Sequence, residues 1–456
     1  MSRKTATDTT SQQDKHTYDI IGDLQVQVTV TENPFDLPLD AMFAMAARIN
    51  KKRAFLFVSK VLGKHLPVQP AVSLVSGFAL ALLLQRELSG VAPDPRLIVE
   101  GLLEPATAAD AYRKLKAQKW TPPRRLAFIG FAETATALGH SMYDAFAEGC
   151  RYLHTTRELI PELTSTLNFE EEHSHATAHR CYAEHPVQGQ EAIVLVDDEM
   201  TTGKTVLNII RDLYRQYPAH KNYYVAALLD WRTEEHRARF SELEQELGIT
   251  IKTLALIKGE MSSAGDPHLS SRSTDIGQRS APAALEIIRL PDLFERVSVS
   301  SLDSAGNRHA APFLRGTGRF GIESADNEQL DRCITQAAEW LRAKRTGDKT
   351  LCLGTGEFMY LPMRIAAEMG AGVHYQSTTR SPIYPSSEGA YTIWEAFRYP
   401  SPEDANVQHH LYNVTRYDYD EVFVMLERQV EAEQLQPFLD VLVHLGIKRV
   451  YVVMVS

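Results

Sequence analysis

Two adjacent carboxylates, Asp197 and Asp198, end the apolar run Ile193–Val196, and a hydroxyl-rich turn follows at Thr201-Thr202-Gly203-Lys204-Thr205. Ionised carboxylates only accept hydrogen bonds, so a sugar diol, with donors on adjacent carbons, is a natural partner. A Thr/Gly turn that opens a helix suits a phosphate, because free backbone amides and the positive end of the helix dipole converge there. Gly203 lets the backbone wrap closely, and the threonine hydroxyls add donors. A diol clamp three to seven residues ahead of a phosphate turn matches a ribose 5-phosphate.

Such residues need a strand to carry the carboxylates and a helix to receive the phosphate. The chain supplies "RRLAFIGF", "CRYLHTTRE", "AIVLVDD" and "YYVAALLD", each separated by room for a helix or long loop. That alternation predicts an α/β fold with a mainly parallel sheet. Ahead of it, helical periodicity covers Leu39–Ile49, and "AFLFVSK" reads as a strand leading into the basic "KVLGKHLPV". The apolar stretch Ala71–Leu84 is broken by Ser and Gly and reads as too short to span a bilayer.

The 456 residues allow two or three domains, and 44% hydrophobic with 23% charged residues is ordinary for a globular protein. A formal charge of −10 disfavours nucleic acid as a partner. The four dispersed cysteines and the polar N-terminus predict a cytoplasmic protein with reduced thiols and no membrane partner. The expected organisation is a disordered tail over 1–16, a first domain over 17–262, a Ser/Gly/Pro-rich linker over 263–283 and a second α/β domain over 284–456.

The second domain repeats landmarks of the first. "LAFIGFAETATAL" corresponds to "TLCLGTGEFMYL" and "YLHTTRE" to "YQSTTRS", with Glu133 and Arg157 separated by 24 residues and Glu357 and Arg380 by 23. "VLVDDE" aligns with "VFVMLE", so Met425 and Leu426 stand where the aspartates were, and Glu427 matches Glu199. The second half therefore reads as a degenerate copy that lost its diol clamp. Gly354, Gly356, Glu357, Thr379 and Arg380 are its candidate ligand contacts, and "RGTGRFG" (315–321) is a further candidate anion loop or a linker turn.

"IVLVDDEMTTGKT" resembles the 5-phosphoribosyl 1-diphosphate (PRPP) signature of type I phosphoribosyltransferases, departing from it at Glu199, where an aliphatic residue is usual. "FLFVSKVLGKHLPV" and "EEHSHAT", followed by "GTGE" and "TRSP", make the whole chain after its tail similar to the PRTase-2/TRSP two-domain family, associated with tellurite-resistance (ter) gene clusters. The resemblance implies a type I phosphoribosyltransferase-like parallel sheet flanked by helices, with the degenerate copy behind it. It implies transfer of 5-phosphoribosyl from PRPP to a small-molecule acceptor with release of diphosphate, in the making of a nucleoside-like metabolite. Asp197, Asp198 and Arg157 are then the expected catalytic residues. Thr201, Thr202, Gly203, Lys204 and Thr205 would bind the 5-phosphate, and the loop Ala132, Glu133, Thr134, Ala135 and Thr136 would turn its amides to the diphosphate. Mg²⁺ would be held mainly by PRPP oxygens and water, with Asp197 and Asp198 in its outer shell. The polar segment around 170–179 would be a closing loop, with His175 and His179 as an alternative metal site. A homodimer and partner enzymes of a biosynthetic cluster are the protein partners the resemblance allows. A 6-oxopurine acceptor is disfavoured, because Thr201 stands where those enzymes carry Asp. The rival reading is a non-catalytic PRPP- or nucleotide-binding regulator.

Overall fold

The computed structural model describes residues 14–49, 53–170, 178–269 and 284–456. Its larger sheet has five parallel strands at the centre, ordered Thr250–Ala264, Asn222–Asp230, Ala192–Val196, Leu126–Gly130 and Cys150–His154. The central strand, Ala192–Val196, is buried along its whole length, as expected of a strand covered on both faces. An antiparallel pair, Asp14–Ile21 and Leu24–Glu32, extends one edge. The opposite edge is closed by Ile322–Glu323, a short strand that comes from the second half of the chain.

The second half builds its own parallel sheet, ordered Ala284–Arg289, Arg449–Met454, Glu421–Leu426, Thr350–Gly354 and Val373–Ser377. Its last four strands repeat the order of the first sheet, and Ala284–Arg289 takes the position that Thr250–Ala264 holds there. Local contacts repeat as well. A Cβ on Gly130 would lie 2.8 Å from the Tyr152 hydroxyl, and one on Gly354 would lie 2.8 Å from the Tyr375 hydroxyl. No side chain fits beneath either tyrosine, which explains both glycines. The second half is thus a degenerate copy in fold as well as in sequence.

The copies meet through the helices that follow the glycine turns, Ala135–Asp144 and Tyr360–Glu368. His140 stacks on Tyr360 at 3.6 Å between ring centroids, and buried Arg364 reaches Asp144 at 3.3 Å. Lys116 and Lys119 also bind Asp144, at 2.8 and 2.9 Å, and together these charges hold its carboxyl well below the usual range despite burial.

Three sequence expectations change. Leu39–Ile49 is not a helix: one turn, Leu39–Met42, gives way to the strand Phe43–Ala47, which pairs antiparallel with Phe55–Ser59. Cross-strand packing overrode the local period. Asp14–His16, expected in the disordered tail, begin the edge strand and pair with Val28–Val30. The Ala71–Leu84 run lies in a 20-residue helix, Pro70–Ser89, started by Pro70 behind the Gln69 cap and stopped by left-handed Gly90. It has the length to cross a bilayer, yet 72% of its most apolar window is buried within the fold, where it packs on Ala135–Asp144. Gly77 permits that approach, since a Cβ there would come within 2.5 Å of Ser141. The four cysteines are free and buried.

Candidate active site

The motif sits at the carboxyl end of the central parallel strand, where ligands of α/β sheets bind. Val196 is fully buried, and the chain then surfaces at half-buried Asp197 and Asp198. The Asp198 amide donates to Asp197 Oδ1 at 2.9 Å, and the Asp198 carbonyl accepts from the Leu228 amide at 3.2 Å, so the backbone of the pair is fixed. Gly203 follows at φ +69° and serves as the N-cap of helix Lys204–Gln216 with no side-chain cap. A Cβ on Gly203 would meet the Phe240 ring at 2.6 Å. Arg232 lies over that ring, 4.1 Å from its centroid, and is itself buried in a two-toothed pair with Asp230. The turn therefore rests on a rigid floor.

Asp197, Asp198, Thr201, Thr202, Gly203, Lys204 and Thr205 all line one cavity of about 230 Å³. Its roof is the Phe43–Ala47/Phe55–Ser59 hairpin and the segment after it, which contribute Arg48, Arg53, Phe57, Lys64 and His65. Sequence reading placed none of these individually, although "FLFVSKVLGKHLPV" had marked the segment. Arg53 donates to Glu199 at 2.6 Å and lies 4.7 Å from the Phe55 ring centroid. That contact accounts for an acid where an aliphatic residue is usual. His65 is buried, and burial first, then the neighbouring Lys64, push its pKa far below the ordinary value, so the ring is neutral. Its Nε2 has no partner among the described residues.

Ser381, in the "TRSP" of the second half, also lines this cavity. The roof is tied to the same segment, for Tyr384 donates its amide to the Ala47 carbonyl at 2.9 Å. The second half thus helps to build the site of the first.

The glycine–glutamate turns are where the copies interlock. Glu133 of the first half accepts from Thr379 Oγ1 at 3.0 Å and the Arg380 amide at 3.4 Å. Reciprocally, Glu357 of the second half accepts from Thr156 Oγ1 at 2.6 Å and the Arg157 amide at 2.7 Å. Each half hands its glutamate to the Thr-Thr-Arg of the other. Burial alone would raise the pKa of Glu133, but Lys64, Arg157, His409 and Arg380 outweigh it and bring the carboxyl down to about 2. Burial also opposes ionisation of Glu357, and the charge of Arg319, 3.5 Å away, leads the groups that lower it.

This interlock alters several expectations. The loop Ala132–Thr136 is buried, and only its neighbour Phe131 lines the motif cavity. Two of its five amides are committed within the protein, Ala132 to Thr155 Oγ1 at 2.9 Å and Thr136 to the Glu133 carbonyl at 3.5 Å. Arg157 does not line the cavity of Asp197 and Asp198. Its amide is drawn to Glu357, and its side chain lines a second cavity with Gly356, Glu357 and Arg380. Gly354 and Thr379 stand behind the wall of that cavity, the first under Tyr375 and the second bound to Glu133. "RGTGRFG" is not an open anion loop, because buried Arg319 binds Glu427 at 2.8 and 2.9 Å. Residues 171–177 of the expected closing loop, with His175, lie outside the described residues; His179 is buried with Nδ1 3.1 Å from Thr155 Oγ1. No cluster of three or more metal-ligating side chains occurs among the described residues. A larger cavity, of about 850 Å³ and lined by Arg289, Arg308 and Gln434 among others, contains none of the motif residues.

Residues 42–260 match the family model described as phosphoribosyl transferase, and residues 316–442 match the TRSP domain described as C-terminal to it. The chain belongs to this two-domain phosphoribosyltransferase family. It is accordingly an enzyme of the phosphoribosyltransferase, and hence glycosyltransferase, type. Among solved structures it is similar to adenine phosphoribosyltransferase from Trypanosoma brucei, in complex with AMP, pyrophosphate and ribose-5-phosphate. That match has 10% identity and a TM-score of 0.33, covering 54% of this chain and 90% of the other. The enzyme from Giardia lamblia, complexed with 9-deazaadenine, has 20% identity and a TM-score of 0.24 over 35% and 84% of the two chains. A hypoxanthine phosphoribosyltransferase from Staphylococcus aureus has 9% identity and a TM-score of 0.21 over 39% and 71%. No curated protein is similar to the chain at a significant level.

Proposed function

We propose that the chain transfers the 5-phosphoribosyl group of PRPP to a small, base-like acceptor and releases diphosphate, in the biosynthesis of a nucleoside-like metabolite in the cytoplasm. The observation that carries this reading is the sharing of one cavity by the paired carboxylates and an uncapped helix N-terminus. In this reading Asp197 and Asp198 accept the ribose hydroxyls. The 5-phosphate takes its donors from the Thr201–Thr205 turn and the first amides of the helix. The diphosphate points toward Phe131 and Lys64, where Lys64 supplies positive charge beside Thr134 and Glu133. The acceptor approaches beneath the roof, against Phe57 and neutral His65.

Departure of diphosphate builds positive charge on the ribose and negative charge on the leaving group, so fixed charges and donors carry the catalysis. Two half-buried carboxylates facing a polar cavity suit a Mg²⁺ held chiefly by substrate oxygens and water. Bound there with PRPP, Mg²⁺ would neutralise charge on the diphosphate.

The test is calorimetric titration with Mg·PRPP, followed by diphosphate release with a panel of acceptors. Charge-assisted bonds contribute about 1.5–3 kcal/mol each. Asp197→Asn with Asp198→Asn should therefore weaken binding by roughly a hundredfold or more. Wild-type affinity in the double variant would overturn the assignment.

A further inference from the structure

The copy that lost its diol clamp still encloses a cavity, of about 330 Å³, at the place that corresponds to the motif cavity. Thr355 stands there for Phe131, and Leu426 and Glu427 for Asp198 and Glu199. What was lost is specific. Met425 and Leu426 are buried apolar side chains that cannot hold a diol. The helix that follows, Ala432–His444, satisfies its own first turn through a capping box between Glu431 and Gln434. No phosphate-binding end of the kind seen at Gly203 remains.

What was kept lies around the glycine turn. Arg157 and Arg180 reach the cavity from the first half, and Arg380 and His409 from the second. The six lining carboxylates are engaged elsewhere: Glu158 lies 3.5 Å from Arg428, and Asp303 accepts from the Asn307 amide at 2.8 Å. Glu427 binds Arg319 at 2.8 Å, Glu357 accepts from Thr156 and Arg157, Glu403 binds Arg428 at 3.1 Å, and Asp404 accepts from the Ser304 amide at 2.9 Å. His409 is only 5% exposed. Its Nδ1 lies 3.4 Å from Thr378 Oγ1, which already accepts the Gly356 amide at 3.2 Å. Of the two tautomers, the one in which Thr378 donates to Nδ1 places the ring hydrogen on Nε2. In that tautomer the buried Nε2–H has no partner among the described residues. A buried donor without an acceptor is costly, and a ligand atom would remove the cost.

We infer that this cavity binds a small polyanion lacking a ribose 5-phosphate, of diphosphate or polycarboxylate type, received by His409 Nε2–H and the guanidinium groups of Arg157, Arg180 and Arg380. Burial foremost lowers the His409 pKa to about 4, so the ring stays neutral near pH 7.

The full chain is titrated calorimetrically, without PRPP, with inorganic diphosphate and separately with citrate. Besides the wild type, the variants are His409→Leu, Val407→Trp at the cavity rim, and Asp197→Asn with Asp198→Asn in the first site. Thermal unfolding checks that each is folded. At least one anion should saturate a site that His409→Leu and Val407→Trp weaken tenfold or more and the aspartate pair leaves unchanged. Binding of diphosphate alone identifies a phosphate-type ligand, and binding of citrate alone a polycarboxylate. The inference is overturned if neither anion binds below millimolar concentration, or if both cavity variants titrate as wild type. Because PRPP is absent, failure of the transferase reading would leave this result intact.

Discussion

Glu133 offers the sharpest test of whether the two halves are interlocked through their glycine–glutamate turns. The perturbation is Glu133→Gln, which keeps the shape but removes the charge that Lys64, Arg157 and Arg380 surround. Its carboxyl moves from 4.5 to about 2 on folding. At about 1.4 kcal/mol for each tenfold change, the ionised group stabilises the fold by about 3 kcal/mol at neutral pH. The folded pKa is the lower one, so this stability is complete above the unfolded value and is lost as pH falls toward 2. Linkage predicts a loss of about 2 kcal/mol between pH 6 and pH 3 from this group alone. Urea unfolding of wild type and Glu133→Gln across that range isolates the effect, since other carboxyls contribute to both. The variant should be less stable by about 3 kcal/mol at pH 6, and the gap should shrink to about 1 kcal/mol at pH 3. Parallel curves would show that the interlocked glutamate is not held as described.

Three other perturbations follow from the same contacts. Glu199→Leu, which restores the usual aliphatic residue, should destabilise by roughly 1–3 kcal/mol by stranding Arg53, and adding Arg53→Met should recover most of it in urea unfolding. Arg319→Met leaves Glu427 buried without its cation and should cost about 3–5 kcal/mol, visible as a large fall in unfolding midpoint, whereas Arg319→Met with Glu427→Met should be milder. Gly203→Ala must place a Cβ 2.6 Å from Phe240 at φ +69°; it should weaken PRPP binding at least tenfold in calorimetry, and wild-type affinity would show the turn to be unimportant.

The sequence by itself determined the strand–carboxylate–turn–helix unit. Its residues are contiguous, and local chemistry fixes their order: apolar residues that must be buried, acids at the strand end, and a glycine where φ is positive. It also determined the duplication, because four strands and two glycine turns recur in register and the fold repeats their order. Only the tertiary structure decided which residues face one another across the copies. Glu133 and Arg380 are 247 residues apart, and nothing local joins a glutamate in one glycine turn to the Thr-Thr-Arg of the other. The same holds for Arg53 with Glu199 and for Ser381 beneath the roof of the first site. Local sequence assigns Arg157 to its own half, whereas its amide binds Glu357 of the other copy and it lines the second cavity. Pairing between distant segments is set by the burial of whole helix faces and the matching of buried charges. Those are properties of the assembled core, which no short stretch of sequence contains.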